Sequence, residues 1–172
     1  VQACCYRLMT KEQVLYKLTF LCARAEYCQH DMLEKMRKWE VNSVDKAEIM
    51  EYLLREKYVD EERYARHFIS DKLRFNKWGR RKVEQALYMK RIPESIYRPI
   101  LDEQCDEDYE DILMPLLRNK LRTVKGKNSY DIRNKIIRFA LSRGFETDLV
   151  LKAVDKLQIG GDDCDCLEGN SW

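Results

Sequence analysis

The chain has little of what breaks helices or carries out chemistry. Six Gly and three Pro leave few positions for sharp turns. No stretch joins sustained apolar–polar alternation to a turn pair such as Asn-Gly, so a sheet is not expected. The longest uninterrupted apolar run, Ile112–Leu117, carries Pro115, and a membrane span needs roughly 20 residues. Two His, His30 and His67, and no Cys-x-x-Cys leave no pattern for zinc. The seven Cys (Cys4, Cys5, Cys22, Cys28, Cys105, Cys164 and Cys166) form an odd, irregular set with no signal-peptide pattern ahead of them. They read as free thiols of a soluble, cytoplasmic protein. Cys22 and Cys28, six apart on what reads as one helix, point in different directions. Neither a phosphate-cradling Gly-rich loop ending in Lys-Ser/Thr nor a Gly-x-Ser-x-Gly elbow occurs, so no catalysis and no cofactor are expected.

What is present is helix-forming sequence with one apolar stripe and a charged outer face. Charged residues make up 36% and hydrophobic ones 45%, too apolar for a disordered chain. Compared with itself, the chain repeats a ladder of apolar positions: Met32, Met36, Val41; Val83, Leu87, Ile92; Ile136, Ala140, Phe145. The first two members are spaced as one helix face, and the third follows a short turn, Trp39-Glu40-Val41, Lys90-Arg91-Ile92 or Arg143-Gly144-Phe145.

Each ladder is flanked by two more helices. Ahead of the first, Thr10 and Gln13 suggest a capping box opening a helix that buries Val14, Leu15, Leu18, Leu21, Cys22 and Ala25. Ahead of the second, Asp60 with Glu61 and Glu62 suggests an N-cap and an acidic first turn, burying Tyr64, Ala65, Phe68, Ile69 and Leu73. Ahead of the third, Ile112, Leu113, Leu116, Leu117 and Leu121 form the stripe. Short helices follow, with core positions at Val44, Ile49, Leu53 and Leu54, at Ile96, Ile100 and Leu101, and at Leu149, Ala153 and Val154. The prediction is all-α: three tandem three-helix repeats over 10–58, 59–104 and 105–158, packed end to end into an elongated, curved body. Residues 1–9 and the acidic stretch 159–172 read as tails.

The formal net charge of +2 hides segregation. From Arg63 to Arg91 ten Lys/Arg face two acids, and from Arg118 to Arg143 nine face one. The negative charge sits in Asp102–Asp111, with seven acids and no base, and after Gly160. The acidic run lacks the Gly and final Glu of a calcium loop and reads as a linker between the second and third repeats.

Residues 58–83, YVDEERYARHFISDKLRFNKWGRRKV, resemble the middle-repeat signature of the RecX family. The matching positions are Tyr58, Val59, Asp60, Glu62, Arg63, Tyr64 and Ala65, with Gly79 closing the motif. Val83, Leu87 and Lys90-Arg91-Ile92 continue it, Arg91 standing where the family has Gly. Glu34-Lys35-Met36 with Trp39, and Phe139-Ala140-Leu141 with Arg143-Gly144-Phe145, match more loosely, so the resemblance covers about 10–158. It implies a non-enzymatic regulator of the RecA recombinase in DNA repair, recombination and the SOS response. Such a protein lies in the groove of the RecA–single-stranded DNA filament and restrains strand exchange and ATP hydrolysis.

The residues themselves offer two polyanion-facing stretches. One contains Lys72, Arg74, Lys77, Arg80, Arg81 and Lys82 with Phe75 and Trp78 interleaved, continuing to Lys90 and Arg91. The other contains Lys120, Arg122, Lys125, Lys127, Arg133, Lys135 and Arg138. Phosphate contacts by such residues gain from counterion release, and the aromatics suit base stacking or a protein partner. Both stretches also fit a solvated helix end and connector, with Trp78 packed in the core. Asp60 and Arg63 read first as a cap and a helix-surface ion pair. The expected partners are RecA and single-stranded DNA, with weak duplex binding and a monomeric chain. The alternatives are a RecA-independent repressor-like DNA-binding protein and a protein-binding adaptor.

Overall fold

The computed structural model describes residues 9–159, and among them every regular element is an α-helix. In chain order these are α1 Lys11–Cys22, α2 Gln29–Lys38, α3 Ser43–Arg55, α4 Glu61–Arg74, α5 Arg80–Met89, α6 Glu94–Asp102, α7 Asp106–Thr123, α8 Ser129–Ser142 and α9 Thr147–Lys156. No helix is long and apolar enough to cross a membrane among the described residues. The tail readings, with Cys4, Cys5, Cys164 and Cys166, lie outside the described residues.

The repeated ladder has a repeated backbone cause. Glu40, Arg91 and Gly144 follow α2, α5 and α8 with φ of 56°, 58° and 88°. At each, the N–H bonds back three residues, to the carbonyls of Arg37, Tyr88 and Leu141 at 3.1, 2.9 and 2.9 Å. The next N–H, of Val41, Ile92 or Phe145, bonds to the carbonyl of Met36, Leu87 or Ala140. This is a Schellman turn, which satisfies the last carbonyls and folds the following apolar side chain against the helix it ends. Eight of the nine ladder residues are buried and Val41 is partly so. Glu40 and Arg91 adopt a left-handed conformation that Gly144 reaches without penalty.

Packing divides the chain into two compact units. The first takes the residues up to Ser70 together with Gln85–Leu101, and the second takes Asp71–Glu84 with the residues from Asp102 on. In the first, α3 packs on α1 and α2 around Val14, Leu18, Met32, Met36, Ile49, Met50, Leu53 and Val59. In the second, α7, α8 and α9 pack on one another, burying Leu113, Leu117, Ile136, Ala140, Phe145, Val150 and Val154.

Several expectations are corrected. Ala25 lies beyond the end of α1 and is exposed, while Val44 and Leu54 point outward. Met50, Tyr97, Tyr109 and Val150 occupy core positions instead. Cys22 and Cys28 are not on one helix, because Cys22 ends α1 and Cys28 precedes α2. The run Asp102–Asp111 is not a linker: Asp102 ends α6, and from Asp106 the chain is already α7. Acids concentrate there because free N–H groups at a helix start favour negative charge, and the Asp108 carboxylate accepts from the Cys105 N–H at 3.0 Å.

Candidate functional site

The first unit spends its motif charges on holding helix ends. Asp60 accepts from the Arg63 N–H at 2.9 Å, so it caps α4. Its expected ion pair with Arg63 is not made. The Arg63 guanidinium reaches Glu26 instead, at 2.8 Å, and donates to the carbonyls of Lys57 and Tyr58. A guanidinium is long enough to bridge the turn before its own helix, and those unpaired carbonyls are its natural partners. Tyr58 stacks beside Tyr52, while Tyr64 and Ala65 are buried. Cys28 provides no side-chain cap for α2, and Glu61 does so from α4, accepting from the Gln29 N–H at 2.9 Å. Burial pushes the Glu61 carboxyl above the usual carboxylate range and lifts the Cys28 thiol to about 12. Lys90 pairs with Asp31, and Arg91, held in its left-handed turn, lines a groove with His30, Glu34 and Tyr88.

In the second unit the two basic stretches meet. Gly79 precedes α5, and its N–H donates to the Arg143 carbonyl at 2.8 Å, while that of Arg81 donates to the Gly144 carbonyl at 3.0 Å. The start of one helix thus satisfies the end of another, N–H groups against carbonyls. A Cβ on Gly79 would lie 2.3 Å from the Phe145 nitrogen, and one on Gly144 would lie 2.3 Å from Lys82 Cβ. Only glycines permit this approach.

Around that junction the cations and aromatics interleave. Lys72 and Lys82 Nζ sit 5.3 and 4.9 Å from the Trp78 ring centre. Lys120 Nζ and the Arg143 guanidinium sit 5.2 and 5.4 Å from that of Phe139. The two sets are tied together, since Arg143 Nη1 donates to the Asn76 carbonyl at 3.1 Å and Lys82 Nζ to that of Ser142 at 3.4 Å. Trp78 and Phe139 are half-buried, and Phe75 is 80% exposed. Each ring is held by like charges close together, which raises the local positive potential.

The remaining candidates divide by partner. Arg80 bonds to Glu84 at 3.0 Å and also to Asp102, Arg133 to Asp155 at 2.6 Å, and Lys135 to Asp131 at 2.8 Å. These charges are neutralised locally. Arg74, Lys77, Arg81, Arg122, Lys125, Lys127 and Arg138 are exposed, and their side chains form no ion pair among the described residues. Sequence reasoning did not single out Asn76, Phe139 and Arg143 as site residues. The sequence marked Phe139 and Arg143 only as part of the looser third-repeat match, and Asn76 only as a position inside the 58–83 motif.

The family model described as RecX, second three-helix domain, matches residues 60–98, and that described as RecX, third three-helix domain, matches 106–154. Between them they take in half of the chain. A regulatory protein RecX of Clostridium beijerinckii is 27% identical over 129 residues, covering 72% of this chain and 57% of that protein. One of Chlorobium limicola is 24% identical over 154 residues, covering 90% and 94%. The chain spans between about half and three fifths of the length of several curated relatives it matches, 57%, 62% and 51% for three of them. The crystal structure of RecX from Lactobacillus salivarius superposes with a TM-score of 0.75 at 16% identity, over 86% of this chain and 96% of that one, which shows a shared fold. The matched domains begin at Asp60 and end within α9, so they contain both glycines of the helix-end junction and both ladders beside it. By these matches the chain belongs to the RecX family of regulatory proteins.

Proposed function

We propose that the protein is a non-enzymatic regulator that binds the RecA–single-stranded DNA filament and restrains its ATP hydrolysis and strand exchange. The observation that carries this reading is the union, in one compact unit, of two basic stretches far apart in sequence around Trp78 and Phe139. Arg74, Lys77, Arg81, Arg122, Lys125, Lys127 and Arg138 supply charge to the filament. Lys72, Lys82 and Lys120 hold the aromatic rings in place. Phosphate neutralisation supplies sequence-independent affinity, and an aromatic beside it stacks on an unpaired base or a partner side chain. The triplets over 10–58, 59–104 and 105–158 are the repeating segments that lie along the filament. A polymer held at successive places gains from the high effective concentration of each later contact.

The test measures RecA's DNA-dependent ATPase while this protein is added below one copy per RecA. Hydrolysis falls, and the fall is weaker at higher salt. Unchanged hydrolysis and filament length refute the reading. A preference for one duplex sequence by roughly 4–10 kcal/mol would instead favour a repressor-like protein.

A further inference from the structure

The acidic run Asp102–Asp111 takes no part in the polyanion-facing surface, yet it borders a cavity within the second unit. The cavity, of about 220 Å³, is lined by Arg80 of α5, Gln104 before α7, Tyr109 in α7, and Glu146, Asp148 and Lys152 at the start of α9. It is smaller than the roughly 300–1,000 Å³ of sites for drug-sized ligands, and it suits a group the size of one side chain. Phe145 and Leu149 give it apolar wall. Tyr109 is 5% exposed, and its hydroxyl is buried without a hydrogen-bond partner among the described residues. That hydroxyl end faces the cavity, because the charges that reach it include those of Arg80 and Glu146, which line the cavity too. A buried hydroxyl left unpaired is costly, and an occupant with a polar hydrogen relieves the cost.

The surrounding charges decide the sign of the occupant. Arg80 is already bonded to Glu84 and Asp102. Glu146, Asp148 and Lys152 are exposed and form no ion pair among the described residues. Four carboxylates thus stand against two cations, and the N-terminus of α9 adds only about half a unit of positive charge. The balance is negative and favours a cation. No group of three His, Cys, Asp or Glu side chains is placed to hold a metal ion among the described residues, which leaves an organic cation.

We propose that this cavity binds the guanidinium or ammonium end of an alkyl cation, carried by a free amine or by a basic side chain of a partner protein. An N–H of the cation donates to the Tyr109 hydroxyl oxygen, Glu146 and Asp148 supply the counter-charge, and the alkyl chain lies along Phe145 and Leu149. Gln104 and Lys152, whose side chains make no hydrogen bond among the described residues, turn aside to admit it. The contact is partly electrostatic, and salt weakens it.

The test titrates the whole chain with n-butylguanidinium at low salt and follows the amide NMR shifts of Gln104, Glu146 and Leu149, with Glu12 and Glu51 of the first unit as references. The three cavity amides shift to saturation with a dissociation constant on the order of millimolar, and the references do not. Equal shifts at the references, or tighter binding of butyrate, overturn the proposal. Glu146→Gln with Asp148→Asn, both on exposed side chains, weakens binding about fivefold. Tyr109→Phe weakens it about three- to tenfold and leaves thermal stability undiminished, since the hydroxyl it removes had no partner to lose. Unchanged affinity in the carboxamide variant, or in folded Tyr109→Phe, overturns the site. N-acetylarginine methylamide, a guanidinium on a peptide backbone, separates the two sources. Affinity equal to that of butylguanidinium supports a partner's side chain, and several-fold weaker affinity supports a free amine. No readout involves DNA or RecA, so the result stands apart from the function proposed above.

Discussion

The ladder turns of the two compact units end a helix tightly with different residues, although Lys77 and Gln158 of the second unit also take positive φ. In the first unit the turns after α2 and α5 put Glu40 and Arg91 into the left-handed region. In the second the turn after α8 uses Gly144, and the space a side chain would need is filled by Lys82. A turn facing solvent tolerates a strained long side chain. A turn pressed backbone to backbone against Gly79 does not. The units also treat aromatic rings differently. Phe20, Tyr27 and Trp39 lie near Arg24, Lys35 and Lys17, one cation each. Trp78 and Phe139 each have two. The first unit uses its charges to lock helix ends. The second gathers cations in pairs around Trp78 and Phe139.

The largest effect comes from filling the junction. Gly79→Ala puts a methyl into the backbone of Phe145, where nothing flexible can yield, and costs on the order of 3 kcal/mol. Gly144→Ala adds left-handed strain to a clash with Lys82 and falls in the same range. Arg91→Gly in the first unit goes the other way, stabilising by about 0.5–1 kcal/mol as strain is relieved. Urea denaturation of the three variants measures this. Equal effects at Arg91 and Gly144 would erase the contrast between these two ladder turns.

Next comes the charge contrast. Reversing Arg74, Lys77 and Arg81 to Glu lowers affinity for oligo-dT by at least tenfold at low salt. Removing the three phosphate contacts flattens the salt dependence by about 2 in log–log slope. Reversing Lys38, Lys46 and Lys57, first-unit residues interleaved with acids, changes either quantity little. Fluorescence anisotropy over a salt series separates the two sets. Reversing Arg80 is a poor test of binding, because its partners Glu84 and Asp102 would be left facing a third carboxylate.

How much of this was legible follows from the range of each interaction. The ladder was readable because a helix and its closing turn are local: Met36 and Val41, or Ala140 and Phe145, are five residues apart. The Thr10–Gln13 capping box and the Asp60 cap were readable for the same reason. The partners of Arg63 and Glu61 were not, since Glu26 and Gln29 are 37 and 32 residues away. Nor was the meeting of Asn76 with Arg143, which are 67 apart. Composition marked both basic stretches. Only packing shows that Arg80, Arg133 and Lys135 are neutralised while Arg74, Arg81 and Lys127 are not.

A smaller effect tests the aromatic half of the site. Trp78→Ala removes a half-buried ring from between Lys72 and Lys82 and takes away a stacking surface worth about 1–3 kcal/mol per base. The loss exceeds that of Trp39→Ala, whose ring has one cation in the first unit, even when both variants are compared at matched stability. Equal losses would leave electrostatics alone to account for binding.

The smallest effect belongs to Glu61, the carboxylate that caps α2 from α4. Its folded pKa is raised by burial, against the pull of the Gln29 N–H, and its second oxygen is buried without a hydrogen-bond partner, like that of Glu26. A carboxyl whose folded pKa exceeds the unfolded value binds its proton more tightly when folded. Its contribution to stability is therefore complete below the unfolded pKa near 4.3 and is lost as pH rises through the folded value. Compared with Glu61→Gln, which keeps an acceptor for Gln29 and cannot ionise, the unmodified chain gains thermal stability as pH falls from neutral toward 4.5. Titrating groups not coupled to Glu61 cancel in that comparison, and those coupled to it include Asp31 and Asp60. Parallel melting curves for the two proteins across this window would mean that the carboxylate bears its buried charge at no cost, and the first unit's helix-end lock would then be indifferent to pH.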